Sequence, residues 1–247
     1  MRARPIAPII FLRILAPERA DPPMAGFAAV LRKDLTLELR GGESTLALVA
    51  LSILILIVMV FALDPAGGAA DAPIAAGALW VAMIFAGMAG AARTVLAERD
   101  NGCIRALYLS PLDRGALFLA KLAAASIFMI VAEAAVVLML VLFFNLDFDL
   151  RLARMLPALA LGLIGFAALA TLLAAISGRV HAGDLLMPLL AVPMYVPALI
   201  AGVKASAAAL GGAPWSAMGQ WLRIMIAFDV LFVAAGFILF EHLLDED

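Results

Sequence analysis

Six apolar blocks, each close to the length of one membrane crossing, alternate with short polar segments along this chain. They lie at about 45–63, 73–92, 118–143, 155–176, 185–203 and 221–240. An α-helix needs roughly 20 apolar residues to cross the hydrocarbon core, so each block predicts one membrane-spanning helix. The third block is longer than a straight crossing, and we expect part of it to be tilted or interfacial. The pattern therefore predicts an all-α membrane protein with six transmembrane helices.

Composition supports the same class. Of the 247 residues, 66% are hydrophobic and 15% are charged, with a mean hydropathy of +1.11, whereas soluble domains have roughly half apolar and a quarter charged residues. The net charge of −2 gives no indication of nucleic-acid binding. Cys103 is the single cysteine, which excludes an internal disulfide and a cysteine-based metal cluster.

Lysine and arginine are distributed unevenly between the two sides of the predicted bundle. The N-terminal segment and the segments after the second and fourth blocks carry thirteen of them. The opposite side carries four, which are Arg151, Arg154, Lys204 and Arg223. Because cytoplasmic segments are enriched in these residues, we expect both termini to lie in the cytoplasm.

The N-terminal segment divides into two parts. Residues 1–23 begin with basic residues, but Pro8 and Arg13 interrupt the apolar run and no clean cleavage site follows. We expect a disordered or weakly interfacial extension, followed by a single six-span membrane domain over 24–247 with Met24 as a natural start. Residues 27–40 predict an amphipathic helix that lies in the headgroup region, or equally a solvated helix before the first span. We expect Asp34 and Glu38, which fall within its apolar arc, to face protein.

The largest polar interruption between the blocks runs from Ala97 to Lys121. The stretch Ser110-Pro111-Leu112-Asp113 predicts a helix start, because Ser caps and Pro suits the first helical position. Upstream of it, Cys103, Ile104, Leu107 and Tyr108 recur at helical spacing. This predicts a short amphipathic helix that rests on the membrane surface or fills a groove in another protein.

Two motifs give the chain a resemblance to a known family. In the polar interruption it reads E-R-D-x-G from Glu98, then L-x-L-S-P and L-x-x-A-K. The region Leu161–Gly202 contains a proline-bracketed run, Pro193-Met194-Tyr195-Val196-Pro197. Both resemble the haem exporter protein B (CcmB) family, the membrane subunits of an ABC-type complex in cytochrome c maturation. The chain departs from the family pattern at Ile104-Arg105 and at Ala201.

The resemblance implies an ABC-2-like permease of the bacterial inner membrane, present in two copies. It implies a CcmA-type ATPase and CcmC-type and CcmD-type membrane subunits as partners. ATP would bind the partner, because this chain contains no Gly-Lys pair and hence no phosphate-binding loop. The resemblance assigns docking of the ATPase to the loop after the second span, at Glu98, Arg99, Asp100, Gly102, Ile104, Leu107, Tyr108 and Ser110.

No residue pattern predicts catalysis, a metal site or a resident cofactor in this chain. Its two histidines, His181 and His242, both fall on the predicted cytoplasmic side. The resemblance implies haem as a transported or handled ligand rather than a resident cofactor. The resemblance leaves open whether haem crosses the membrane or ATP is used to release a haem chaperone.

The fifth apolar block contains three prolines around a tyrosine. Pro188, Pro193 and Pro197 remove backbone donors, at a cost of about 3 kcal/mol each in an ordinary helix interior. This predicts a kinked helix near Tyr195, which either moves as an ATPase cycles or is fixed by packing.

Two carboxylates, Glu133 and Asp229, fall within the apolar blocks. A carboxylate at the bilayer centre costs roughly 2.5–3.5 kcal/mol, so both are expected to face the bundle or a subunit interface. They support one alternative, an ion-coupled secondary transporter. The others are an ABC-2 exporter of a different hydrophobic substrate and a non-transporting assembly scaffold.

Overall fold

The computed structural model describes residues 23–40, 42–63, 71–100, 114–146, 149–177 and 183–243. The elements within these ranges are all helical. They are α1 (Pro23–Arg40), α2 (Gly42–Leu63), α3 (Ala72–Asp100), α4 (Arg114–Phe143), α5 (Leu150–Ser177), α6 (Gly183–Leu210) and α7 (Trp215–Leu243).

Four helical segments in the described ranges are long and apolar enough to cross a membrane. They are Gly115–Phe143, Leu150–Ile176, Leu189–Leu210 and Trp215–Phe240, and they fall on the last four predicted blocks. Two shorter apolar segments, Val49–Ala62 and Ala72–Phe85, fall on the first two blocks. The prediction of an all-α, multi-pass membrane protein is confirmed, and the count of six spans stays a prediction.

Helix α5 lies at the centre of the bundle and packs against α6 and α7, while α3 packs mainly against α6. Alanines line the contact face of α6, with Ala198, Ala201 and Ala205 fully or almost fully buried. Small residues let membrane helices approach closely, so van der Waals contact can hold them together where no hydrophobic driving force exists. Helices α2 and α4 pack along the side of this core.

Helices α4 and α7 interlock through two reciprocal glycine–phenylalanine contacts. The ring of Phe237 on α7 fills the space beside Gly115 on α4, and the ring of Phe118 on α4 fills the space beside Gly236 on α7. Phe118 also packs against Phe240, with ring centroids 5.3 Å apart. A methyl group at either glycine would overlap the opposing ring, so these positions set the distance between the helices.

The N-terminal helix α1 packs on the first turns of α4. Val30 is buried in a small apolar cluster with Leu117, Phe118 and Phe240. Asp34 pairs with Lys33 at 3.1 Å, and within electrostatic range it also attracts the ammonium of Lys121 on α4. That Asp34 faces protein stays a prediction, and the side chain of Glu38 lies outside the described part of the structure. The position of α1 in the headgroup region stays a prediction.

The tight contact at Gly236 predicts a loss of stability on enlargement. Gly236→Ala should lower the free energy of unfolding by about 1–3 kcal/mol, because the added methyl forces the buried Phe118 ring from its place. Gly219→Ala on the same helix is the matched control, since nothing lies within 4 Å of a methyl group there. The control should keep the wild-type free energy of unfolding or raise it by up to about 1 kcal/mol, because alanine has a higher helix propensity than glycine. Both variants are heated in the same detergent, and size-exclusion chromatography then measures how much folded protein remains, which gives the midpoint of unfolding. Equal midpoints would contradict the interlock.

Candidate functional site: a buried aromatic and polar junction

The indole of Trp80 on α3 lies between two glycines of neighbouring helices. A methyl group at Gly162 on α5 or at Gly202 on α6 would overlap the ring, so both positions require the smallest side chain. The indole Nε1 donates a hydrogen bond to Ser206 Oγ, one turn beyond Gly202, at 3.0 Å. Trp80 and Ser206 are both fully buried. One side chain thereby joins three helices and satisfies its own polar atom.

Tyr195 on α6 meets the same stretch of α5. Its hydroxyl donates to the backbone carbonyl of Gly162 at 2.7 Å. Its ring packs edge-on against Phe166 on α5 and Phe228 on α7, with centroids 5.0 and 5.6 Å apart. Aromatic pairs in this geometry contribute about 0.5–1.5 kcal/mol beyond their burial. Tyr195 is therefore held by contacts with two neighbouring helices, α5 and α7.

The structure brings together three residues that the sequence singled out separately. Asp229 on α7 is 7% exposed, and its Oδ1 lies where a methyl group at Gly165 would stand. Asp229 and Glu133 both lie within electrostatic range of the Tyr195 hydroxyl. We call Glu133, Tyr195 and Asp229 the polar cluster, which is contributed by α4, α6 and α7.

Two oxygens of this polar cluster have no hydrogen-bond partner among the described residues. They are Glu133 Oε1 and Asp229 Oδ2, and both are buried. A buried carboxyl oxygen without a partner carries a desolvation cost of about 1–3 kcal/mol or more. Each is therefore available to a hydrogen-bond donor, a proton or a cation that enters the bundle. Within the described ranges no three His, Cys, Asp or Glu side chains lie close enough to hold a metal ion.

The three prolines of the fifth predicted span lie on α6, whose helical backbone runs without interruption from Gly183 to Leu210. Pro193 and Pro197 are exposed on the outer face, while Tyr195 between them is buried. Each proline leaves the carbonyl four residues earlier without its helical donor. The kink at these prolines stays a prediction.

The predicted ATPase-docking loop is described only at its start. Glu98, Arg99 and Asp100 form the last turn of α3. Gly102, Ile104, Leu107, Tyr108 and Ser110 lie outside the described residues. The helix start predicted at Pro111 also lies outside them, and α4 is described from Arg114.

Sequence reasoning missed the residues that build the junction, namely Trp80, Gly162, Gly202 and Ser206. One signal was present: Gly202 and Ser206 are four residues apart, and small residues at this spacing mark close helix contacts in membranes. No comparable signal in the sequence pairs Trp80 with them.

The bundle and its buried junction define a polytopic α-helical membrane protein. The family described as "CcmB protein" matches residues 25–242. "Heme exporter protein B" of Bradyrhizobium diazoefficiens is 31% identical over 220 residues, which cover 86% of this chain and 94% of that protein.

Two further relatives carry the same name. That of Pseudomonas aeruginosa is 29% identical over 168 residues, which cover 65% of this chain and 73% of that protein. That of Rhodobacter capsulatus is 28% identical over 176 residues, which cover 71% and 80%. The chain belongs to the CcmB family, which confirms the resemblance read from its motifs.

Proposed function

We propose that this chain is the membrane permease subunit of an ABC-type complex that handles haem during cytochrome c maturation. The observation that carries the proposal is the family match over residues 25–242, together with relatives named "Heme exporter protein B". The chain supplies the membrane path or the moving scaffold, and haem is the transported or released ligand. It holds no catalytic residues of its own.

ATP hydrolysis belongs to a partner of the CcmA type. The sequence contains no Gly-Lys pair, so it lacks the loop that binds nucleotide phosphates in such ATPases. CcmC-type and CcmD-type subunits complete the proposed complex, with two copies of this chain. Energy from the ATPase reaches the bundle through the loop that follows α3.

We place the protein in the bacterial inner membrane with α2 and α3 completing six spans. The helices themselves have 22 and 29 residues, which is enough length to cross. The excess of Lys and Arg in the N-terminal segment and in the loop after α3 supports a cytoplasmic location for both termini.

A charge in the proposed docking helix should release the ATPase. Leu107→Asp places a carboxylate in an interface that excludes water, and loss of a buried anchor costs about 2 kcal/mol or more, or about thirtyfold in affinity. The measurement is the amount of ATPase recovered with the tagged membrane subunit in mild detergent. Arg114→Ala, next to the loop, serves as the control and should retain its partner. If Leu107→Asp is expressed normally and recovers as much ATPase as wild type, the docking assignment is wrong.

The prolines of α6 are proposed to let this helix bend as the ATPase cycles. Replacing Pro193 and Pro197 by Ala returns two backbone donors to exposed positions without altering the buried face. The double variant should insert normally and bind the ATPase. It should still support ATP hydrolysis, but the haem released per ATP hydrolysed should fall at least severalfold. Single-turnover haem release in nanodiscs measures the coupling, and an unchanged ratio would indicate a static helix.

The unpartnered oxygens of Glu133 and Asp229 favour one second candidate, an ion-coupled secondary transporter. Asp229→Asn retains shape and hydrogen-bonding capacity but cannot gain or lose a proton. For the proposed ABC-type function, ATP-dependent haem release should stay within about twofold of wild type and should be unaffected by dissipation of the proton gradient. Loss of release in the variant, together with sensitivity to an uncoupler, would instead favour ion coupling.

A further inference from the structure

Two arginines meet at the end of the bundle where α5 begins and α6 turns into α7. Helix α5 is capped by Asp149, whose Oδ1 accepts hydrogen bonds from the backbone N–H groups of Arg151 at 2.8 Å and Leu152 at 3.4 Å. Arg151 and Arg154 therefore lie in the first turns of this helix. Cations are disfavoured there, because the N-terminus already carries the positive end of the helix dipole. The pair adds to a positive potential that the helix itself supplies.

The guanidinium of Arg154 is held in place by the turn between α6 and α7. Its Nη2 donates to the carbonyl of Ala213, and its central carbon lies 5.0 Å from the ring centroid of Trp215. Its Nε is buried and has no partner among the described residues. A guanidinium stacked and anchored in this way has a fixed orientation, and its Nε is a donor without a partner among the described residues.

Arg151 lies beside the same turn. Its guanidinium is 3.6 Å from where a methyl group at Gly212 would stand, and Gly212 has φ +72, in the left-handed region that favours glycine. The Arg151 side chain is 61% exposed, and its Nε lies 3.5 Å from Asp149 Oδ2. A pair this exposed is weakly held and can be exchanged for another oxyanion.

The apolar surroundings indicate what kind of anion fits. Trp215 is 55% exposed, and Leu150 and Leu156 on α5 are 76% and 61% exposed, as lipid-facing side chains are. Tryptophan at the end of a span is typical of the membrane–water interface. A ligand at this position has its acidic group at the arginines and its apolar part along the helix.

We propose that Arg151, Arg154 and Trp215 form a binding site for the oxyanion of an amphipathic molecule. The shared chemistry is a carboxylate or phosphate bound by charge-assisted hydrogen bonds. Two sources supply it: a propionate carboxylate of haem, which rests on the proposed function, and the phosphate of an anionic lipid, which does not. The charge distribution that places the docking loop in the cytoplasm places this site on the opposite side.

Binding to the purified full-length chain in detergent tests the carboxylate. Haem and haem dimethyl ester, whose carboxylates are blocked, are titrated while tryptophan fluorescence is followed. The Arg151→Gln/Arg154→Gln variant should bind haem at least tenfold more weakly than wild type, equivalent to about 1.4 kcal/mol. The ester should bind wild type about as weakly as haem binds this variant. Arg223→Gln is the matched control, because Arg223 is exposed and, among the described residues, donates to the Gly219 carbonyl of its own helix at 3.2 Å.

The lipid arm uses nanodiscs that contain phosphatidylglycerol or phosphatidylcholine, with bound lipid counted by native mass spectrometry. If the double variant retains less phosphatidylglycerol than wild type and its haem affinity is unchanged, the site is supported and its ligand is the lipid phosphate. A loss confined to haem supports the site and assigns it to propionate. Equal binding of both ligands by wild type, the double variant and Arg223→Gln overturns the proposal.

Arg151→Gln alone protects the test against misfolding, because the exposed Arg151 contributes little to the fold. This variant should lose about threefold or more in affinity, and Arg154→Lys, which retains charge without the planar fork, should fall between wild type and the double variant. No loss in Arg151→Gln, together with equal binding of haem and its ester, also overturns the proposal. Release of the ATPase by Leu107→Asp is a separate measurement, so failure of the complex does not bear on this site.

Discussion

The bundle depends on one constraint: a polar atom within a membrane-spanning bundle needs a partner inside the protein. Trp80 meets it by donating to Ser206, and Tyr195 meets it by donating to the carbonyl of Gly162. These bonds form only if α3, α5 and α6 lie close together, and the glycines beside the Trp80 ring permit that approach. The two hydrogen bonds therefore fix which faces of the central helices meet. Van der Waals contact between alanines alone would determine these faces only weakly.

Glu133 and Asp229 stand out against this background. Trp80, Ser206 and Tyr195 are hydrogen-bonded, whereas Glu133 Oε1 and Asp229 Oδ2 lack a partner among the described residues. A buried carboxyl oxygen without a partner adds a desolvation cost that the hydrogen-bonded side chains of the junction avoid. An ion-coupled transporter would use the polar cluster because its carboxyl oxygens lack partners, and not merely because acidic residues are present. The proposed ABC-type function treats the same residues as a structural feature.

The two ends of the bundle differ in character. At one end, α1 packs over α4 and the loop after α3 carries the motif that resembles an ATPase-docking segment. At the other, an anchored arginine and an exposed tryptophan face the region where a ligand's acidic group would lie. The proline-containing helix α6 runs between these ends and carries Tyr195 at its centre. The bond from Tyr195 to the Gly162 carbonyl therefore lies midway between the two ends.

The sequence alone determined the class, the helices and the family. Apolar length and motif letters are local properties, so the last four blocks and the CcmB resemblance could be read directly from the chain. The contacts between helices could not. A helix that is apolar on all sides has no polar face to show which side meets its neighbours. Only the tertiary structure placed Trp80 between Gly162 and Gly202, gathered Glu133, Tyr195 and Asp229, and anchored Arg154 on the turn before α7, because each depends on how separate helices rotate and approach.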